Sequence, residues 1–444
     1  MDLFKTGITL GVLVLVGIQF AYAQDVVNPI APQDNWTVHE QFTSILQGHE
    51  PLHSPYTGPN SLFPGTEGRT SITATLFLGR RLWEGASFYV NPEVIAGQGF
   101  SQTHGLAGFP NGEIYRVDNP DPKIVLSRLY YQQIWGFGTG TETLSSDQNQ
   151  LGGPVPEIRL TMVGGKFSLV DFFDDNAYSH DPRTQFMNWA LFTNGSWDYP
   201  ADTRGYTYGF YAEYNQPRWA IRAASVLEPR EANGLSLETR ISRAHGDQIE
   251  METRYHRESH PGKLRLLAWL NHAHMGSYQA ALAQAVSSGA PPDVAATRDY
   301  SQKYGFGVNI EQELTKDLGF FSRAGWDDGR TETWAFTEID RTVCAGLSLK
   351  GSAWHRPDDT LASAVVVNGL SPDHKNYLRA GGTSFLIGDG QLNYAPEQIW
   401  ETYYALRVYQ HVTLSPDVQL IKNPAFNADR GPVVIGAIRV HLEI

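Results

Sequence analysis

From residue 36 onward, apolar and polar positions trade places every second residue in one segment after another, the period of a β-strand with two unlike faces. The last segment is the clearest. Val434, Gly436, Ile438, Val440, Leu442 and Ile444 fall on one face, and Val433, Ile435, Ala437, Arg439, His441 and Glu443 on the other. In 248–255, Ile249, Met251 and Tyr255 oppose Gln248, Glu250, Glu252 and Arg254, and in 263–271 Leu264, Leu266, Ala268 and Leu270 oppose Arg265, Trp269 and Asn271. Such segments lie near 36–46, 71–82, 86–96, 124–136, 158–170, 205–215, 217–227, 246–256, 263–273, 302–314, 318–326, 342–350, 361–369, 397–409, 411–421 and 432–444. That makes about sixteen, give or take two, each of roughly ten residues, the length a tilted strand needs to cross a bilayer.

The faces suggest a direction. In a soluble sandwich the apolar face is the core, whereas in a transmembrane barrel it meets lipid and the polar face lines a wet interior. Here the polar faces carry arginines beside acids. Large aromatics, Trp36, Trp83, Trp135, Tyr206, Trp326 and Trp400, sit near segment ends, where girdles at the two water–lipid interfaces would put them. The pattern therefore predicts an all-β fold, a transmembrane antiparallel β-barrel of about 16 strands with an inward-folded constriction loop.

The constriction loop is the insert 171–204. It holds Phe172, Phe173, Tyr178, Phe186, Trp189, Phe192, Trp197 and Tyr199 among Asp174, Asp175, Asp181, Arg183 and Arg204. A loop that aromatic is costly in water, so it is expected to fold back on the wall and narrow or cap the lumen. Residues 276–300 read as a surface loop with a short helix. Barrels alternate short turns with long loops, yet 138–157 and 171–204 follow consecutive strands and both are long. Either one short-turn connection is extended or the strand count shifts there.

Composition narrows the function. The chain has 444 residues and one cysteine, Cys344, so no internal disulfide forms. Residues 1–23 read as a removable signal peptide: Lys5 near the start, an apolar run from Gly7 to Phe20, and Ala21-Tyr22-Ala23 ahead of Gln24. The organisation expected is signal peptide 1–23, a short extension 24–34 and a barrel over 35–444. A formal charge of −13 argues against nucleic acid as a partner. No phosphate loop, nucleophile elbow or paired-histidine zinc helix is present. His272 and His274, two apart on a strand, read as polar wall residues rather than metal ligands. Asp174-Asp175-Asn176 with Asp181 lacks calcium-loop spacing. No catalytic residue, metal or cofactor is expected.

A sugar path needs hydrogen-bonding charges and an aromatic plate for the ring face. By parity the inward candidates are Arg128, Arg159, Arg222, Arg254, Arg265, Arg323, Arg407 and Arg439, with Glu250, Glu252, Glu311 and Glu401. The insert adds Phe173, Asp174, Asp175, Arg183 and Trp189. Two other readings are a soluble periplasmic carbohydrate-binding β protein and an outer-membrane barrel enzyme, for which Ser179 and His180 are the adjacent pair to inspect.

Several ordered motifs then carry a resemblance. They are Pro55-Tyr56-Thr57-Gly58-Pro59-Asn60-Ser61-Leu62; Gly165-Lys166-Phe167-Ser168 running into Asp171-Phe172-Phe173-Asp174; and Asn176-Ala177-Tyr178-Ser179-His180-Asp181-Pro182-Arg183. Further on come Gly325-Trp326-Asp327-Asp328-Gly329 with Phe336-Thr337-Glu338-Ile339-Asp340, Gly388-Asp389-Gly390 with Tyr394-Ala395-Pro396-Glu397, and Asn423-Pro424 with Asp429-Arg430-Gly431-Pro432. Together they resemble the carbohydrate-selective porins of the OprB type across essentially the whole mature chain. The resemblance implies passive diffusion of small sugars through an outer-membrane barrel, monomeric or homotrimeric, with membrane lipids and the barrel-assembly machinery as partners. One departure is Ile444, where such barrels usually end in an aromatic residue.

Overall fold

The computed structural model describes residues 34–114 and 120–444; the expected signal peptide and nearly all of the 24–34 extension lie outside them. Among the described residues, sixteen strands form one closed antiparallel barrel. They are β1 (Trp36–His49), β2 (Glu67–Trp83), β3 (Ala86–Gly97), β4 (Lys123–Leu144), β5 (Gly153–Phe167), β6 (Thr207–Gln216), β7 (Trp219–Leu227), β8 (His245–Arg257), β9 (His260–Met275), β10 (Asp299–Glu313), β11 (Leu318–Asp327), β12 (Arg341–Gly351), β13 (Arg356–Gly369), β14 (Glu397–Tyr409), β15 (Val412–Lys422) and β16 (Val433–Glu443). Each strand pairs with its sequence neighbours. β1 closes the ring on β16, where Thr43 faces His441 and their side chains bond at 2.9 Å. Every predicted segment is a strand. Closure leaves no ladder edge bare, which is what lets β-structure span hydrocarbon.

The direction of the faces also follows the sequence pattern. On β16, Val434 and Ile438 point outward while Ile435 and Arg439 are buried. On β14, Trp400 points out while Glu401 and Tyr403 point in, and on β8 Ile249 and Met251 oppose buried Glu250 and Glu252. The outward apolar surface gains roughly 25 cal/mol per Å² on leaving water. The charged surface stays inside, where it finds partners.

One end carries tight turns, such as 84–85, 217–218, 258–259 and 410–411, and the other carries long connections. At the turn 84–85, Gly85 has φ +72°, and a Cβ there would lie 2.1 Å from the Ile134 carbonyl oxygen, so glycine is required. Trp36, Trp83 and Trp135 form an outward belt toward the short-turn end, and Trp326 and Trp400 lie toward the other, as expected of girdles. Tyr206 departs from that expectation: it is buried inside the barrel at the head of β6.

Among the described residues, three α-helices sit in long connections. α1 (Trp189–Phe192) is one turn inside the β5–β6 insert, α2 (Tyr278–Ser288) lies between β9 and β10 as expected, and α3 (Pro372–Arg379) between β13 and β14. Tyr278 of α2 stacks on His374 of α3 with centroids 4.5 Å apart. The connection that read as anomalous is a real extension. β4 runs for 22 residues and continues pairing with β5 beyond the wall, from Thr141 opposite Pro156 to Leu144 opposite Gly153. The strand count stands, and one short-turn connection is a long hairpin.

Candidate functional site

The insert between β5 and β6 folds into the lumen because its aromatics find an apolar surround there. Phe173, Phe186, Leu191 and Trp197 are all buried in one cluster. Wall residues fix its path by satisfying its backbone. Arg323 of β11 meets Asp174 at 2.9 Å and donates to the carbonyls of Leu191 at 2.8 Å and Ser179 at 2.6 Å. Glu401 of β14 accepts from the backbone N–H groups of Met187 and Asn188. Asn309 of β10 donates to the Asp174 carboxylate at 2.7 Å, and Asn194 N–H donates to the same carboxylate at 2.7 Å. A buried backbone group without a partner costs about 1–3 kcal/mol, so these pairs hold the insert against one side of the wall.

The other side stays open. A cavity of about 1080 Å³ lies between the insert and the inner wall of β2–β6. Arginine–carboxylate pairs line it. Arg128 forms a double contact with Asp171, at 2.7 and 2.5 Å. Arg183 reaches across from the insert to Glu93 of β3 at 3.1 Å and to Glu113 of the β3–β4 loop at 2.8 Å. Arg222 gathers Glu213 at 2.6 Å, Glu250 at 2.7 Å and Glu252 at 3.2 Å. Two-pronged guanidinium contacts fix geometry better than a lysine point charge. Aromatic faces stand beside the charges: Tyr199 stacks on Phe336 at 4.1 Å and Phe172 on Tyr211 at 4.2 Å, and the Arg128 guanidinium lies 5.3 Å from the Tyr206 ring centre. Burial, reinforced by Glu93, pushes the Tyr206 hydroxyl up to about 12, so it stays a neutral donor. This is a wall of fixed hydrogen-bonding groups next to flat apolar plates.

The structure sorts the residues expected from sequence. Arg128, Arg159, Arg183, Arg222, Asp175 and Trp189 line this cavity. Arg407 lines a second recess of about 310 Å³ near the short-turn end. Arg254 braces the wall, with Glu252 at 2.6 Å and Asn215 at 2.8 Å. Arg265, Arg323, Glu401 and Glu311 face inward as parity required, yet they are buried beneath the insert and hold it instead of lining the path, and Asp174 and Phe173 of the insert itself are buried against that wall. Glu311 accepts from the Ala177 N–H at 2.8 Å, and Arg265 meets Asp175 at 3.1 Å. Ser179 gives its hydroxyl to the Leu191 carbonyl, not to His180. Among the described residues no cluster of three or more His, Cys, Asp or Glu is arranged to hold a metal ion.

Glu113, Asp171 and Tyr206 line the cavity and Glu93 holds Arg183 beside it, yet the sequence pattern placed none of the four there and put Tyr206 in a girdle. Glu93 carried a signal, since Tyr89, Asn91 and Glu93 alternate onto one face of β3. Glu113 carried none, because its place depends on where a loop folds. Burial, with Glu93 beside it, pushes the Glu113 carboxyl above the ordinary glutamate range despite Arg183. The charged form is thus disfavoured in the fold. Glu113 takes up its proton earlier than a free glutamate as pH falls, and its cost to folding is present above that point and relieved below it. Lowering pH from about 7 to about 5 is expected to reduce the preference for cations over anions, read as a reversal potential in a salt gradient. Glu113→Gln is expected to remove part of that shift; an identical titration in the variant would count against the assignment.

Comparisons with known proteins agree with the geometry. Residues 64–443 match the profile of a family described as carbohydrate-selective porin, OprB family. The chain is 23% identical over 306 residues to Porin AaxA of Chlamydia abortus (strain DSM 27085 / S26/3), an alignment covering 69% of this chain and 58% of that relative. Its fold is similar to a high-pH structure of Pseudomonas putida OprB, with a TM-score of 0.68, 15% identity, and 92% of this chain and 94% of that one covered.

Proposed function

The chain belongs to the OprB family of carbohydrate-selective porins, and from that premise we propose that small sugars cross by diffusion through the cavity between β2–β6 and the insert. Family and fold are those of a channel and imply the outer membrane. We read residues 1–23 as the export signal, and the long connections as facing outward, since short turns face the periplasm in such barrels. The observation that carries the reading is the path itself. Arg128, Arg183 and Arg222 are each already paired with carboxylates, so the wall offers directed hydrogen bonds, with acids in excess beside Arg183 and Arg222. Tyr206, Trp189 and Phe192 add flat faces along the same cavity. Uncharged polyhydroxylated rings suit such a wall, and transient contacts let them leave again. Arg128, Arg159, Arg183, Arg222, Asp175 and Trp189 are the contacts we assign to cargo.

Recording in planar bilayers is expected to give discrete conductance steps that added monosaccharide partly blocks. Liposomes carrying the protein are expected to swell faster in monosaccharides than in trisaccharides. Folded protein that gives no steps sinks the reading; equal swelling in all sugars sinks the selectivity.

A further inference from the structure

The extended β4–β5 hairpin does not stand free in the aqueous space. Beyond the wall its two strands lose register: Phe137 lies opposite Ile158 but Thr141 opposite Pro156, so two extra residues bulge on the β4 side. Gly138 sits in this bulge at φ +81°, a backbone state that other residues adopt only with strain. A bulge bends a hairpin, and this one leans over the rim of the short-turn mouth toward β1 and β16.

Its tip docks on a nearby stretch of rim, beyond two intervening strands. The Ser146 hydroxyl meets the Thr37 hydroxyl at 2.9 Å and His39 at 3.1 Å. The Gln148 amide donates to Gln41 at 3.0 Å and to Glu443 at 2.9 Å. Asp34 N–H donates to the Gly152 carbonyl at 3.2 Å. Thr37 and Gln41 are inward residues of β1, and Glu443 belongs to β16. The hairpin therefore spans the ends of β2 and β3. Arg159 at its base is tied to Glu142 at 2.5 Å. An isolated two-stranded hairpin is marginal in water, so these contacts at both ends are what set its position.

What it covers is the path. Leu144, Gln148, Asn149 and Leu151 line the same cavity as Arg128 and Arg183. We infer that residues 138–157 form a second, inner constriction in series with the insert, and that Gln148, Asn149 and Leu151 set the size of solute that leaves. This rests on the pore reading above. The hairpin presents the neutral amides Gln148, Asn149 and Gln150 with Leu144 and Leu151 and a single acid, Asp147, so it selects mainly by size and hydrogen bonding.

The test compares intact protein with a variant in which 138–157 is replaced by Asn-Gly, each reconstituted in bilayers and in liposomes. The shortened protein is expected to conduct severalfold more and to admit trisaccharides that the intact protein excludes. A folded shortened variant with unchanged conductance and cut-off overturns the inner constriction while leaving the pore reading intact; an intact protein without conductance overturns both. Should the shortened chain fail to fold, Gln150→Cys decides. Cys344 is buried, so a bulky thiosulfonate should leave wild-type current untouched and cut the variant's current by more than half. Complete modification, checked by mass, with unaltered current overturns the inference.

Discussion

Replacing Arg323 with methionine is expected to release the lumen insert and turn a narrow, quiet channel into a wide, noisy one. The side chain fans into the insert, meeting the Asp174 carboxylate and the backbone carbonyls of Asp174, Leu191 and Ser179. Asp174, Leu191 and Ser179 are almost wholly buried. Methionine fills similar space but removes the cation beside the buried Asp174 carboxylate, which keeps only neutral donors from Asn309 and Asn194, and removes the donor to the Ser179 carbonyl. Breaking a buried pair by removing one partner costs about 3–5 kcal/mol. That loss falls on the insert alone, because the backbone ladder of β11 with β10 and β12 does not use the side chain. The barrel should still run as a folded band on unheated gels. Single-channel recording should show a severalfold rise in open conductance with flicker as the insert samples open positions. A variant with wild-type conductance and noise would show that the aromatic cluster holds the insert unaided.

The second large effect is expected at Arg183. It bridges Glu93 of the wall and Glu113 of the neighbouring loop at the edge of the path. Arg183→Met removes the cation that both carboxylates contact. A unit charge at about 4 Å contributes on the order of 1 kcal/mol even at water's dielectric constant, roughly a fivefold change in local ion concentration. Cation preference should rise by at least that factor near neutral pH, and fall at lower pH as one of the two acids takes a proton. Reversal potentials across a salt gradient measure both. A ratio unchanged from wild type would place the ion path away from this bridge.

The sixteen strands were legible because lipid contact imposes a local rule: every second residue must be apolar wherever the wall meets hydrocarbon. The same rule explains what was missed. Residues 138–144, Gly-Thr-Gly-Thr-Glu-Thr-Leu, are strand, yet neither face meets lipid and no apolar alternation marks them. Parity placed Arg323 and Glu401 inside, but whether an inward position borders the path or lies beneath the insert depends on residues more than a hundred positions away. The inward fold of 171–204 was foreseeable from its aromatics. Its choice of wall was not, since Arg323 and Glu401 meet it only in the closed ring. α3 left a trace that was passed over: Ser371 caps it and Pro372 starts it.

The seam between β1 and β16 has a consequence for how the molecule is made. Thr43 and His441 bond across 398 positions of sequence, so the ring stays unfastened until its two most distant strands meet. Assembly dominated by such remote contacts is slow, and meanwhile both seam strands expose bare hydrogen-bonding edges that invite aggregation. Closing the seam is thus the single step that buries both edges at once, independently of what later passes through the ring.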